Sequence, residues 1–268
     1  MKNVFIILIA LVVLCSACEY KLKLSDSEHE YNSLIEVRRY DRLESRYLTT
    51  GDFSALQQMS TSYPMETRIL IEEILKLGQV TDPDINTRFL NFYQNTILQT
   101  LISDTEAQYA NMDDINKELT NAFRNLKAWL PDLEIPMFYA QICALDQSVV
   151  VSDEAVGISL DKYLGEDYPL YVRYYSPEQR KSMTRENILP DCLSFYLMSK
   201  YTLENFDFRE QAERDTYTGK IQWTVNKILT KPFFKSKYIQ AVDKYMQENK
   251  DVTIDELLKD KDYSKFSK

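Results

Sequence analysis

Hydrophobic residues recur at intervals of three and four along most of the chain, a spacing that places them on one face of an α-helix. The clearest run covers residues 112–130, where Ile115, Leu119 and Phe123 fall on one stripe and Pro131 follows the last turn. Similar patterns predict further helices over residues 66–77, 82–97, 188–200, 208–229, 237–249 and 253–259.

Two of the helix starts carry local capping signals. Asp82 followed by Pro83 has the order of an N-cap residue and a proline in the first turn, which predicts that a helix begins there. Ser176 precedes Pro177 and stands three positions before Gln179, the arrangement of a capping box. Both signals predict where a helix begins without reference to the rest of the fold.

Between residues 136 and 164 the pattern changes to short apolar runs rich in β-branched residues, which favour strands. Asp153 and Glu154 separate the last two runs, so these two strands are predicted to form a hairpin. The predicted fold class is therefore α+β and mainly helical, with a small β-sheet. The predicted strands cover residues 37–40, 137–143, 148–152 and 156–160.

The N-terminus has the pattern of an export signal. Lys2 precedes an apolar run from Val4 to Leu14, which is too short to span a membrane as a helix, and the sequence Ser16-Ala17-Cys18 resembles a bacterial lipobox. We therefore expect residues 1–17 to be a signal peptide and Cys18 to be lipidated. The alternatives are lipidation of Cys15, an ordinary cleaved signal and a short uncleaved anchor. Residues 18–34 are then a flexible tether, and residues 35–268 form a single domain.

Composition excludes several classes of site. The chain of 268 residues has 32 basic and 41 acidic side chains, and its charge of −9 argues against nucleic-acid binding. Its one histidine, His29, excludes sites that need several imidazoles and leaves Ser159 and Ser194 without the base of a Ser-His-Asp triad. No cofactor or metal site is predicted.

The sequence gives no specific spacing for the other kinds of site, which would use paired acids, cysteines or glycine-rich loops. Two carboxylates can work as an acid–base pair, but no spacing among the aspartates selects one. Cys143 and Cys192 lie in apolar surroundings, and both buried thiols and a disulfide remain open. There is no Gly-rich phosphate loop, and Gly157 and Gly165 are predicted to be turn glycines. The aspartates considered for a pair are Asp161, Asp167, Asp191 and Asp215.

Several segments, taken in their order along the chain, carry a resemblance to a known family. The most specific is the GISLDKYLG segment, residues 157–165. The other segments are IEVRRYDR at residues 35–42, Tyr63-Pro64, ILPD at residues 188–191, YTGK at residues 217–220, YIQAVDKYM at residues 238–246 and TIDELL at residues 253–258. Together they resemble the gliding-motility lipoprotein GldB family of Bacteroidota over about residues 35–260.

The resemblance implies a zincin-like helical body that is catalytically degenerate, because residues 190–194 lack the histidines of an HExxH helix. It implies a lipid-anchored protein of the cell envelope, expected at the outer membrane and facing the periplasm. Exposure at the cell surface is the alternative. The expected role is non-catalytic binding of, or assembly with, an envelope protein or glycan. The alternative is an envelope hydrolase of peptide or glycan that uses carboxylates without metal. The candidate partner-binding residues are Asp161, Tyr163, Asp167, Tyr168 and Asp191.

Overall fold

A computed structural model describes residues 34–266 of the chain. Twelve α-helices account for most of these residues, and the predicted fold class, α+β and mainly helical, is confirmed. The α3 helix continues as a π-helix over Ile69–Ile74. The helices are α1 (Tyr40–Thr50), α2 (Phe53–Ser62), α3 (Pro64–Arg68), α4 (Ile85–Phe92), α5 (Thr96–Gln108), α6 (Asp113–Trp129), α7 (Pro169–Tyr174), α8 (Pro177–Arg180), α9 (Ile188–Lys200), α10 (Gln211–Leu229), α11 (Lys237–Glu248) and α12 (Ile254–Lys259).

Three strands form one mixed sheet with the order β1-β3-β2. The strands β2 and β3 pair antiparallel, which confirms the predicted hairpin, whereas β1 lies parallel to β3. The strand β3 is thus central, and all five of its residues are buried. The strands are β1 (Met137–Gln141), β2 (Val149–Val151) and β3 (Ala155–Ser159).

Helices cover both faces of the sheet, so that it separates two hydrophobic cores. Successive residues of a strand point to opposite faces, and accordingly Phe138 and Ala140 belong to the larger core whereas Tyr139 belongs to the smaller one. The larger core is built mainly by α6, α9, α10, α11 and α12, and the smaller one by α1, α2, the π-helix and α4. Burial on both faces explains why β3 carries no alternating polar residues.

Two sequence predictions in the N-terminal half are wrong. The expected strand at residues 37–40 is a single bridge from Arg38 to Tyr139, because α1 begins at Tyr40. The helix expected from Asp82 begins only at Ile85 and ends at Phe92. Asp82 does not cap it; its carboxylate instead accepts a hydrogen bond from the Arg88 side chain at 2.8 Å.

Other local signals predicted the structure correctly, with one exception at Gly157. The helix predicted over residues 188–200 has those bounds, and the Ser176 capping box is present. Gly165 has a positive φ of 112°, as a turn glycine should. The prediction for Gly157 is wrong, because this residue lies in the middle of β3 opposite Tyr139. Cys143 and Cys192 are separate buried thiols.

Candidate functional site

The GISLDKYLG segment leaves the central strand and enters the region where most candidate residues lie. After β3 it makes one 3₁₀ turn, Leu160–Lys162, and then reaches Gly165. Because β3 is buried on both faces, the residues that follow it directly begin inside the protein. The burial of Asp161 and Tyr163 follows from this position.

The carboxylate of Asp161 holds the connection between β1 and β2. Its two oxygens accept hydrogen bonds from the backbone N–H of Cys143 at 3.1 Å and from that of Leu145 at 2.7 Å. Ala144 and Leu145 have positive φ angles of 52° and 67°, a conformation that costs non-glycine residues roughly 1–2 kcal/mol each. The Asp161 carboxylate therefore stabilises a strained connection.

Burial also changes the acidity of Asp161. The side chain is fully buried, which disfavours its charged form and raises its pKa to about 6, although the two backbone hydrogen bonds oppose this effect. Lys162 and Tyr175 strengthen the same connection, since both donate hydrogen bonds to the Leu145 carbonyl at 3.1 Å. These contacts make Asp161 part of the scaffold beneath the surface.

Tyr163 joins this segment to the first turn of α9. Its hydroxyl donates a hydrogen bond to the carboxylate of Asp191 at 2.8 Å, and its carbonyl accepts one from the Tyr109 hydroxyl at 2.6 Å. Partial removal from water raises the pKa of Asp191 to about 6, and the hydrogen bond from Tyr163 opposes this shift. Tyr163 is buried, whereas Asp191 is half-buried.

Asp191 faces a small polar recess. The recess has a volume of about 220 Å³ and is lined by Tyr163 and Asp191 together with Ser148, Lys162 and Tyr175, among others. This volume is below the roughly 300–1,000 Å³ of typical ligand pockets. An ammonium group, two phenols and a carboxyl line this space, so it suits one polar side chain or a small polar group.

Asp167 and Tyr168 lie at the surface. The Asp167 side chain is 94% exposed, and the Arg180 guanidinium is 3.8 Å from it. The half-buried Tyr168 donates a hydrogen bond to the carboxylate of Asp104 at 2.9 Å and packs edge-on against Tyr171. Of the five candidate residues, Asp167, Tyr168 and Asp191 are accessible to a partner. Tyr163 is reached only from inside the recess that it lines, and the fully buried Asp161 can act only through the residues that it holds.

The other residues considered for chemistry have separate structural partners. Asp215 is on α10, where it accepts a hydrogen bond from the Gln211 amide at 2.7 Å. Ser159 accepts one from the buried Gln141 amide at 3.1 Å, and Ser194 donates one to the Pro190 carbonyl at 2.7 Å. Residues 34–266 contain no group of three or more His, Cys, Asp and Glu side chains that could hold a metal ion.

The sequence did not single out Tyr109 or Ser148 as neighbours of this segment. Tyr109 follows α5 and is 54 positions from Tyr163, whose carbonyl it contacts. Ser148 directly precedes β2 and lines the recess together with Asp191. Neither residue has a local signal, because only the folded sheet brings these distant positions together.

Comparison with protein families gives one match, which covers most of the chain and includes the GISLDKYLG segment. The family model described as gliding motility protein GldB matches residues 22–234. The chain belongs to the GldB family. The matched range includes all five candidate residues, but it ends before α11, so the likeness noted at residues 238–258 lies outside it. No curated protein and no solved structure matches the chain, and the zincin-like part of the fold stays a prediction.

The contact between Tyr163 and Asp191 predicts a measurable change in acidity. Because the Tyr163 hydroxyl lowers the pKa of Asp191, Tyr163→Phe should raise that pKa from about 6 by roughly one pH unit. The shift can be measured by carboxyl ¹³C NMR titration. Tyr175→Phe, which removes another phenol lining the recess, should leave the Asp191 pKa unchanged. An unchanged or lowered pKa in Tyr163→Phe would contradict this reading of the contact.

Proposed function

We propose that this GldB family member is a lipid-anchored envelope protein that works by binding a partner and not by catalysis. The observation that carries the proposal is the position of Asp161, the acid of the GISLDKYLG segment. Both of its carboxylate oxygens accept hydrogen bonds from backbone N–H groups, so this acid has a structural role. The carboxylate is thus occupied in holding the connection between β1 and β2, and the loop that follows the segment, residues 165–168, carries Asp167 and Tyr168 to the surface. Exposed loops on a rigid base are common binding elements.

Two hydrogen bonds hold the first two residues of this loop. The Gly165 N–H donates to the Met183 carbonyl at 3.0 Å, and the Arg180 guanidinium donates to the Glu166 carbonyl at 2.8 Å. A loop ordered before it binds loses less conformational entropy on association. The proposed partner is an envelope protein or glycan that contacts Asp167 and Tyr168, and Asp191 in the polar recess is the third residue proposed to contact it.

The anchor is part of the proposal. Cys18 lies outside the described residues and outside the family match, so its lipidation rests on the lipobox-like sequence and on the lipoprotein character of the family. Within residues 34–266, no helix has both the length and the apolar character needed to cross a membrane. Attachment by acyl chains on Cys18 to the outer membrane, facing the periplasm, is the localisation that we propose.

Photocrosslinking in cells tests the binding role. A photoreactive phenylalanine analogue at position 167 should give discrete crosslinked products identifiable by mass spectrometry. The same analogue at the exposed Lys117 on α6 should not give these products. Cys18→Ser should move the protein from the membrane to the soluble fraction and reduce crosslinking. Identical product patterns from positions 167 and 117 would contradict a binding role for the loop.

One observation favours a second candidate function, a carboxylate-dependent envelope hydrolase. The carboxyl of Asp191 has a pKa of about 6 and borders the recess, and a general acid needs a pKa near the working pH. If the purified protein hydrolyses envelope peptides or glycans and Asp191→Asn abolishes the activity, the non-catalytic proposal fails. The absence of turnover by the wild-type protein removes this second candidate.

A further inference from the structure

A long groove runs along α10 and α11, away from the GISLDKYLG segment. Two adjoining cavities of about 660 Å³ and 670 Å³ form it, and they share Trp223, Lys227, Asp243 and Gln247. We call it the lysine groove. It shares no lining residue with the polar recess beside Asp191, so a test of the groove does not depend on the function proposed above.

The charge of the lysine groove is opposite in sign to that of the whole chain. Five lysines line it, against two carboxylates, Asp243 and Asp251, although the chain carries a net charge of −9. All five lysines are exposed. Such a local excess attracts acidic groups. The lysines are Lys227, Lys231, Lys235, Lys244 and Lys250.

Contacts within the groove leave this positive charge available. Asp243 accepts hydrogen bonds from the Trp223 indole at 2.8 Å and from the Gln247 amide at 2.7 Å, and the Lys227 ammonium is 3.5 Å away. These contacts lower the pKa of Asp243, so its charge is already balanced by Lys227. By contrast, Lys231, Lys235 and Lys250 make no ion pair with any residue between 34 and 266.

The floor of the groove supplies apolar contact area. Trp129 is 54% exposed at one end, and the half-buried Phe234, Met246 and Val252 lie along its length. An apolar floor with a charged rim is the usual composition of a protein-binding surface, and aromatic residues and methionine are enriched at such surfaces. A phosphate group or a uniformly charged polymer would leave the floor unused.

We infer that the lysine groove binds an acidic amphipathic segment of a partner protein. The apolar face of that segment packs on the floor, while its carboxylates approach the lysine rim, as in other helix-in-groove complexes. The α11 helix has 12 residues and is therefore about 18 Å long, which sets a length of three to four helical turns for the segment. A flat membrane surface does not reach the floor of a concave groove.

The experiment uses the two tryptophans of the chain as reporters. Both Trp129 and Trp223 line the lysine groove, so intrinsic tryptophan fluorescence reports on this region without a label. The mature chain, from residue 18 onwards, is titrated with a synthetic peptide of about 14 residues that carries leucine on one helical face and glutamate on the other. The comparison ligands are the same peptide with lysine for glutamate, polygalacturonate, and phosphatidylglycerol vesicles.

We expect a saturable fluorescence change with the acidic peptide that weakens as the salt concentration rises. The triple variant Lys231→Glu, Lys235→Glu and Lys244→Glu should bind it at least about tenfold more weakly. A matched control changes Lys117, Lys181 and Lys200, which are exposed and do not line the groove, to glutamate. The control has the same net charge and should bind within about twofold of the wild type.

Three results would overturn the inference: no saturable change with the acidic peptide, equal weakening by both triple variants, or groove-dependent binding of polygalacturonate or vesicles but not of the peptide. The first leaves the groove without the inferred occupant. The second indicates a general charge effect, and the third indicates a glycan or lipid ligand. If the charge-reversed variant does not fold, glutamine at the same three positions replaces it, with an expected weakening of about threefold.

Discussion

Replacing Asp161 by alanine should lower the free energy of unfolding by about 3 kcal/mol, because it leaves one buried and one half-buried backbone N–H group without acceptors. These groups belong to Cys143 and Leu145, which the Asp161 carboxylate contacts at 3.1 Å and 2.7 Å. The positive φ angles of Ala144 and Leu145 then lose an interaction that offsets their cost. Urea unfolding followed by circular dichroism measures the effect.

Two further variants test whether the loss of stability comes from the hydrogen bonds of the Asp161 carboxylate. Asp161→Asn keeps the shape and one acceptor oxygen, so it should lose roughly half as much stability as Asp161→Ala. Asp167→Ala removes a carboxylate from the loop just after this segment; that side chain is 94% exposed, and the effect should stay within about 0.5 kcal/mol. If Asp161→Ala is no less stable than Asp167→Ala, the Asp161 carboxylate does not hold the connection between β1 and β2.

The raised pKa of Asp161 predicts how its effect on the free energy of unfolding changes with pH. Burial raises the pKa of the folded-state carboxyl from 3.8 to about 6, so the folded protein binds this proton more tightly than the unfolded chain does. The part of the stability that depends on protonation of Asp161 is complete below the unfolded pKa of 3.8 and is lost as the pH rises through about 6. The difference in stability between wild type and Asp161→Asn should therefore be largest near pH 4 and smaller at pH 7.5.

Local sequence signals predicted most of the helices and the hairpin because neighbouring residues determine them. The Ser176 capping box uses groups three positions apart, and the predicted bounds of α9 followed from its own apolar and polar pattern. The Asp82 signal failed although its residues fit the pattern, because Arg88 takes the Asp82 and Asp84 carboxylates at 2.8 Å and 2.7 Å. A local pattern does not show that a nearby guanidinium will bind the carboxylates that could otherwise cap the helix.

The candidate site was predicted in part, and the lysine groove was not predicted. The resemblance selected Asp161, Tyr163 and Asp191, but which of them are buried depends on the parallel pairing of β1 with β3, a contact between distant segments. The lysines of the groove occupy positions 227–250, where each reads as an ordinary exposed residue. Only the packing of α10 against α11 places their charges around one groove.

Gly157→Ala is the second substitution for which we expect a large effect, a loss of about 2–3 kcal/mol in the free energy of unfolding. Gly157 pairs with Tyr139 across β1 and β3, and a Cβ atom at position 157 would lie 2.5 Å from the Tyr139 ring carbon Cζ. The Tyr139 ring is 2% exposed and packs edge-on against Tyr40, so it has little room to move. The glycine is needed for space and not for backbone freedom.

A double-mutant cycle with Tyr139→Leu tests this cause directly. Leucine removes the ring atoms that a Cβ at position 157 would meet, so Gly157→Ala should cost at least about 1 kcal/mol less in the Tyr139→Leu background than in the wild type. Equal costs in both backgrounds would show that Gly157 is required for another reason, such as the backbone of β3. A smaller cost in the Tyr139→Leu background would show that Gly157 leaves space for the Tyr139 ring. This contact between β3 and β1 would then help to position the segment that carries Asp161.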